Sequence, residues 1–335
     1  MIILDANVLP RHGSLAGPAF ALVRAIAEKT GHDVALPAIV VEESVAKFTR
    51  ELRKAWDKTK TAEQALAEFF PGYRIGQPDL SKRVEQWRKD LKRSFAILDT
   101  PPGAAEEALR REAHRIAPTR SAGPKASGIG ARDALIWLTV LDAYGREPVN
   151  GVVYFVTNNS ADFGDGELLP ALQREVDAIA TTTSFHYLTS MTGLLDALAT
   201  PVSDGPTESE LFASHEVRAA VEQALRSMDV VGGDSGEWLP TFRPGITGVS
   251  LRKAETNKAY EVGGQRFAAV STVWNGVSST ISGSTGTSVS YEHLSHYVAE
   301  LLLIVEFGDD GRVTSAEVTS AGPFVYDRSE TRIIE

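Results

Sequence analysis

The chain contains no cysteine. This absence excludes disulfides, thiolate zinc sites and cysteine nucleophiles, and it is typical of proteins in the reducing cytoplasm. Long apolar runs are also missing, because the longest purely aliphatic stretch, Leu301 to Val305, is far too short to cross a bilayer. The sequence begins with a strand-like run in place of a signal peptide. We therefore expect a cytoplasmic protein with no membrane partner.

An excess of basic residues is missing as well, since the 335 residues carry a net charge of −10. This balance at first argues against nucleic acid as a partner. However, residues 47–132 hold 19 Lys and Arg against 11 Asp and Glu, which leaves 15 basic and 33 acidic residues elsewhere. This basic segment could hold a phosphate backbone, or it could equally be a helical insert with solvated charges of both signs.

Residues 1–200 alternate strand-like and helix-like patterns. The clearest strand is Gly151–Thr157, whose apolar residues follow one another as in sheets covered on both faces. The alternation predicts an α/β fold in which a mainly parallel sheet lies between two helical layers, a three-layer α/β/α sandwich. Residues 47–130 are predicted to form a basic, helical insert in this domain. Two further helices are predicted after the insert, over 131–144 and 165–180.

The pattern changes after residues 200–207, which are predicted to be a linker. Residues 208–335 are predicted to form a C-terminal α+β domain, with one helix over 208–228 and antiparallel strands over 266–274, 278–281, 297–307 and 313–321. This domain is acidic, so we do not expect it to be the main nucleic-acid surface. It could bind a protein partner or mediate self-association.

Four acidic residues lie where a buried strand meets a loop or a helix. Asp5 follows the first strand, Glu43 lies on the helix opened by Pro37, Asp133 lies in the first turn of an apolar helix, and Asp162 follows the strand 151–157. In α/β sheets, ligands bind outside the carboxyl ends of the strands. Acids gathered there repel one another unless a cation neutralises them, and oxygen ligands suit Mg²⁺ or Mn²⁺. The pattern favours a metal-dependent phosphodiester hydrolase.

Each of these acids also has a simpler explanation. Asp5 and Asp133 could cap a turn or a helix N-terminus, and Asp162 could be a turn former. Glu42 is the alternative to Glu43, because neighbouring helical residues point about 100° apart and only one can face the strand ends.

Four segments together carry a resemblance to a known family. They are Leu4-Asp5-Ala6-Asn7-Val8-Leu9, Pro37 to Glu43, Gly130-Ala131-Arg132-Asp133-Ala134-Leu135-Ile136-Trp137 and Val156-Thr157-Asn158-Asn159-Ser160-Ala161-Asp162-Phe163. Over residues 1–200 the chain resembles the PIN-domain nucleases, in particular a larger bacterial subgroup with a long insert. The resemblance implies a three-layer α/β/α fold, one or two Mg²⁺ or Mn²⁺ ions, and cleavage of single-stranded or structured RNA.

The fourth segment departs from the family pattern. The family commonly has Asp two residues after the Thr, where this chain has Asn159, whereas the later Asp-Phe pair matches at Asp162-Phe163. Either Asp162 binds the metal or Asn159 supplies a neutral ligand.

The resemblance implies roles for the matched residues. Asp5, Glu43 and Asp133 would hold the main ion, and Asp162 would complete the cluster. Three neighbouring polar residues would orient these carboxylates: Asn7, Thr157 and Asn159. Two basic residues, Arg132 and Lys125, could contact substrate phosphate or form salt bridges. Among the tryptophans, Trp87 is the better candidate for stacking on bases, whereas Trp137 is expected in the core.

These observations leave several functions open. The leading hypothesis is an endoribonuclease that needs Mg²⁺ or Mn²⁺. A second is a nucleic-acid-binding or scaffold protein on a degenerate nuclease fold, suggested by Asn159. A third is a structure-specific DNA nuclease or a small-molecule phosphohydrolase that uses the same ions.

Overall fold

The computed structural model describes residues 1–10, 13, 15, 17–119, 130–147, 151–228, 230–231, 245–283, 290–322 and 324–334. The chain divides into two compact units. The N-terminal unit comprises Met1–Leu15 and Gly31–Leu194, and the C-terminal unit comprises Ala16–Thr30 and Leu195–Glu335.

Strands and helices alternate over the first 200 residues. Their order is β1 (Ile2–Leu4), α1 (Pro18–Thr30), β2 (Val34–Pro37), α2 (Ala38–Phe69), α3 (Leu80–Ser94), β3 (Ala96–Leu98), α4 (Ala104–His114), α5 (Ala131–Arg146), β4 (Val152–Val156), α6 (Ser160–Phe163), α7 (Pro170–Asp177), β5 (Ser184–Leu188) and α8 (Met191–Leu198). Strands dominate the remainder, which contains β6 (Thr200–Val202), α9 (Glu208–Ala213), α10 (His215–Ser227), β7 (Val230–Val231), β8 (Ile246–Val262), β9 (Gln265–Gly283), β10 (Ser290–Phe307), β11 (Val313–Ala321) and β12 (Phe324–Ile334).

The N-terminal unit is built on a five-stranded parallel sheet in the order β3-β2-β1-β4-β5. The predicted α/β class with a parallel sheet and flanking helices is confirmed. Ile2, Ile3 and Leu4 of β1 are fully buried, which explains why the strand has no polar face. The strand order reverses between β1 and β4, so the carboxyl ends of these two strands form the topological switch point of the sheet.

The basic insert consists mainly of α2, α3 and α4. The first turns of α2 pack through Val40, Val41, Val45 and Phe48, which are all buried. Helix α3 packs back onto this part of α2, where the Trp87 Nε1–H donates to Ser44 Oγ at 3.2 Å. Trp87 is buried, so the prediction that it stacks on bases is wrong. Trp137 is fully buried in α5, as predicted.

One stretch of the N-terminal unit differs from its predicted structure. The helix expected over 165–180 is shorter, because α7 begins only at Pro170, and an irregular turn precedes it. In that turn Gly164 has a φ of 125°, and a Cβ there would lie 2.0 Å from the Glu167 carbonyl oxygen. Only glycine therefore allows the chain to double back at this point.

The C-terminal unit contains a second sheet, in the order β6-β8-β9-β10-β12-β7, with β11 paired to β10. All of its pairs are antiparallel except β12 with β7, so the predicted antiparallel C-terminal domain is confirmed. Helix α10 packs on β11 and β8, and α1 packs on β9 in the same unit. Among the described helices, none is both long enough and apolar enough to cross a membrane.

Several boundaries in this unit differ from the prediction. The predicted linker begins with a short strand, β6, which pairs with β8. The helix expected over 208–228 is interrupted at Ser214, whose side chain accepts the Val217 N–H and starts a second helix. The two strands expected over 266–274 and 278–281 are one strand, β9, and β8 and β12 are additional. Residues 284–289 lie outside the described residues.

An ion pair between the buried Arg111 and the half-buried Glu175 links α4 and α7, and Trp137 of α5 joins it. The Arg111 guanidinium donates to both carboxylate oxygens of Glu175 at 3.1 and 3.0 Å, and the Trp137 Nε1–H donates to the same carboxylate at 3.0 Å. Arg111 also donates to the Ala117 carbonyl oxygen at 3.0 Å. Because a buried charge that loses its partner is costly, this pair should be sensitive to truncation of either side.

We predict that Arg111→Ala lowers the free energy of unfolding by about 2 kcal/mol, because it leaves the Glu175 carboxylate without its cation and the Ala117 carbonyl oxygen without this donor. Urea unfolding followed by tryptophan fluorescence measures this loss. The matched control is Arg110→Ala on the same helix, which removes an exposed pair with Glu107 and should leave the midpoint nearly unchanged. Equal midpoints for the two variants would contradict the prediction.

Candidate active site

Asp5 lies at the switch point of the parallel sheet. Its backbone N–H donates to the carbonyl oxygen of Val156 at 3.0 Å, so the residue stays next to the end of β4. The side chain is 3% exposed, and both oxygens accept a hydrogen bond: Oδ1 from the Ala6 N–H at 2.6 Å and Oδ2 from the Thr157 hydroxyl at 2.6 Å. The carboxylate is therefore fixed in position.

Thr157 is the centre of a polar network that joins the ends of β1 and β4. Its hydroxyl oxygen accepts from the Asn7 side-chain amide at 3.0 Å and from the Asn159 backbone N–H at 3.1 Å. The Asn158 backbone N–H donates to Asn7 Oδ1 at 3.1 Å. Asn7 and Thr157, which were predicted to orient the acids, thus lie beside Asp5.

Asp133 and Asp162 are connected through Asn159. The Asn159 side-chain N–H₂ donates to Asp133 Oδ1 at 3.2 Å and to Asp162 Oδ2 at 2.7 Å. Asp162 is buried in the short helix α6, which follows β4. The amide occupies the space between two carboxylates, where the family commonly has a third.

The first turn of α5, which carries Asp133, is held by α4. The carboxylate of Glu112 accepts the Ala131 N–H at 2.8 Å and so satisfies a free donor at the start of α5. Gly130 precedes this turn with a φ of 140°, and a Cβ there would lie 2.7 Å from the Thr119 side chain. The sequence analysis missed Glu112, because a contact between residues 19 positions apart leaves no local pattern in the sequence.

Glu43, and not Glu42, faces the other acids. Glu43 is half-buried, and Arg132 Nη1 lies 3.1 Å from its Oε1. Glu42 is exposed and pairs with Arg88 on α3. The guanidinium of Arg132, which was predicted to contact phosphate, is therefore paired with the Glu43 carboxylate in this structure. Lys125, the other predicted phosphate contact, lies outside the described residues.

Burial and neighbouring carboxylates raise the pKa of Asp133 and of Asp5. Burial raises the pKa of Asp133 from 3.8 to about 7, and the charges of Asp162, Asp5 and Glu43 add to the increase, whereas Arg132 opposes it. Burial also raises the pKa of Asp5 to about 6, the hydrogen bonds from Thr157 and Ala6 lower it, and the charge of Glu43 raises it. All four predicted acids therefore lie close enough to interact electrostatically.

Lys47 is a residue of this site that the sequence analysis missed. Its charge lowers the pKa of Asp5, so the ammonium lies near that carboxylate. Lys47 follows Glu43 by four positions on α2, the spacing that places two side chains on one helix face. This spacing was the signal available in the sequence.

The donors of the site fit a hard divalent cation in their chemistry. Four carboxylates, an amide and a hydroxyl offer only oxygen ligands, and the mutual repulsion of buried acids is the condition that a cation relieves. Among the residues that the structure describes, however, no three His, Asp or Glu side chains are arranged so that they could hold a metal ion together.

Comparison with known proteins identifies the family of this segment. Residues 2–163 match the family model described as PIN domain, and this segment belongs to that family. Members of the family are generally nucleases that use divalent metal ions. No curated protein matches the chain.

We predict that Asp133→Asn stabilises the metal-free protein at pH 8, by roughly 1–3 kcal/mol after allowance for partial exposure of the group. The folded pKa of about 7 lies above the unfolded value of 3.8, so the folded state binds the extra proton between these values. Stability of the unmodified protein should fall as pH rises through this window, and the advantage of the variant should disappear below about pH 4.

Urea unfolding in EDTA at pH 4, 6 and 8 measures this dependence. The matched control is Asp165→Asn, which removes an exposed acid shortly after α6 and should show no such trend. An Asp133→Asn variant that is less stable than the unmodified protein at pH 8 would contradict the prediction.

Proposed function

We propose that the chain is a nuclease that hydrolyses RNA phosphodiester bonds with Mg²⁺ or Mn²⁺. One observation carries this proposal: four carboxylates from four separate segments interact electrostatically at the switch point of a PIN-domain sheet. Such repulsion is unfavourable for stability alone, and clusters of this kind are typical of functional sites.

The residues that would hold the cation are Asp5, Glu43 and Asp133, with Asp162 completing the set. When bound, the cation would supply positive charge that polarises the phosphodiester and offsets the carboxylate charges. Asp5 is ready for this role, since Thr157 and Ala6 already orient both of its oxygens.

Arg132 gives the site a contact for the substrate. Its side chain is 61% exposed, and its ion pair with Glu43 leaves the guanidinium at the edge of the site. If Glu43 turns to a cation, Arg132 loses this partner and can bind a phosphate oxygen in its place. The charge of Lys47, which lowers the pKa of Asp5, opposes the accumulation of negative charge at the site.

We favour RNA over DNA because of the family, and the exposed basic residues of the insert suit a nucleic-acid phosphate backbone. We also propose a cytoplasmic location, which rests on the lack of cysteine, and a protein partner or self-association as the role of the acidic C-terminal unit.

A second candidate function is nucleic-acid binding without cleavage. The side-chain amide of Asn159 donates to both Asp133 and Asp162, so it already stabilises part of the negative charge that a cation would otherwise neutralise. A degenerate site of this kind would bind RNA equally well with Mg²⁺, with Mn²⁺ and with EDTA.

We predict that Asp5→Asn lowers RNA cleavage at least 100-fold, because it removes one charge from the cation site without changing the shape of the side chain. The measurement is cleavage of single-stranded RNA, structured RNA and flapped DNA in Mg²⁺, Mn²⁺ or EDTA. Asp165→Asn is the control that should cleave as the unmodified protein does.

Three outcomes separate the hypotheses. RNA cleavage that needs a metal and is lost in Asp5→Asn supports the proposal. Preferential cleavage of the flapped DNA would assign the same site to a DNA nuclease. A folded protein that cleaves none of the substrates with any ion, and binds RNA equally in EDTA, would favour the second candidate.

A further inference from the structure

Residues 49–79 form a projection of the N-terminal unit that contributes no side chain to its core. This segment, which we call the arm, comprises α2 beyond Phe48 and the chain that leads to α3. None of its residues is buried, whereas five of the eleven residues at the start of α2 are. A hydrogen bond from the Ile75 N–H to Glu63 at 3.2 Å holds the returning chain against the helix.

The end of the arm, residues 66–73, which we call the tip, exposes large apolar side chains. Seven such side chains are exposed among the described residues, and four of them lie within residues 66–73: Leu66, Phe69, Phe70 and Tyr73. Phe69 is 77% exposed, the highest value of the seven. Four exposed large apolar side chains within eight residues are typical of an interaction site.

Basic side chains cover residues 47–60 of α2, which lie between the candidate active site and this tip and which we call the shaft. Residues 47–60 contain six Lys and Arg against two Asp and Glu, and α3 has the same counts. Five basic residues of this part of α2 are exposed: Arg50, Arg53, Lys54, Lys58 and Lys60. Lys60 also lies over the ring of Trp56, 5.8 Å from its centroid. Residues 61–79 are different, since they have one basic and three acidic residues and offer aromatic rings in place of charge.

The same helix connects the tip to the candidate active site. Glu43 lies in the second turn of α2, and Phe69 ends the helix 26 residues later, which corresponds to about 39 Å along the axis. A ligand that starts at the site and follows α2 therefore meets Lys47, then the exposed basic residues, and finally the aromatic rings.

We propose that the arm binds single-stranded RNA that extends from the active site, with phosphates on the basic shaft and bases stacked on Phe69, Phe70 and Tyr73. This inference rests on the proposed function. Basic grooves combined with aromatic side chains are the usual means of holding a single strand without sequence preference. Two copies of this chain would bring like-charged shafts together, so charge complementarity favours RNA over self-association through the arm.

The test is RNA binding measured without cleavage. Fluorescence anisotropy in EDTA, with labelled 20-nucleotide oligouridine, compares the unmodified chain with two variants. The aromatic variant is Phe69→Ala/Phe70→Ala/Tyr73→Ala, and the charge variant is Lys58→Glu/Lys60→Glu. Each should weaken binding of the 20-mer at least tenfold, and the charge variant should also reduce the salt dependence of binding. Leu109→Ala, an exposed apolar residue on α4, is the matched control and should change the affinity less than twofold.

Circular dichroism of both variants establishes that the helix is retained. Loss of 20-mer binding supports the inference even if no cleavage is ever found, so failure of the proposed nuclease activity can be distinguished from failure of the arm. Unchanged 20-mer binding by both variants would overturn it. A lower molar mass of the aromatic variant in light scattering, with RNA binding unchanged, would instead assign the tip to self-association.

Discussion

The parallel pairing of β1 with β4 determines the geometry of the whole candidate site. It places Asp5 beside Thr157, although the two residues are 152 positions apart in the sequence, and the hydrogen bond between their side chains depends on this pairing. Helix α2 leaves the neighbouring strand β2 and carries Glu43 to the same edge, and α5 brings Asp133. The site therefore exists only when the sheet is formed, and its acids contribute repulsion to that folded state.

The repulsion is only partly relieved by the protein. Asn159 donates to Asp133 and Asp162, and Arg132 pairs with Glu43, yet burial and neighbouring charge still raise the pKa of Asp133 to about 7. A protein selected for stability alone would not retain four interacting acids at one sheet edge. The cost is understandable if the acids act together on a cation and a phosphodiester.

Much of this fold could be predicted from the sequence because buried strands and amphipathic helices leave strong periodic signals. Glu43 was preferred over Glu42 because of its position relative to the apolar stripe of α2, and it is the one near Asp5. Trp87 was mistaken for a surface residue because it lies among Lys and Arg. With only Trp87 and Leu91 buried, α3 has too few apolar residues to show a clear buried face in the sequence. The role of Asn159 as a link to Asp133 depends on a tertiary distance that no local pattern encodes. In the C-terminal unit, the strands predicted over 266–274 and 278–281 are one strand, because β9 continues through Gly276, where a Cβ would lie only 3.1 Å from the ring of Phe324.

The central claim, that the four acids act together as a cation site, is tested most directly by calorimetric titration of Mn²⁺ into the RNA-free protein, beside Asp133→Asn and the Asp165→Asn control. We expect saturable binding with proton release near pH 7, because Asp133 must lose its proton to bind a cation. This binding should be lost in Asp133→Asn and retained in Asp165→Asn. Equal binding by all three proteins, or no binding by the folded unmodified chain, would contradict the account.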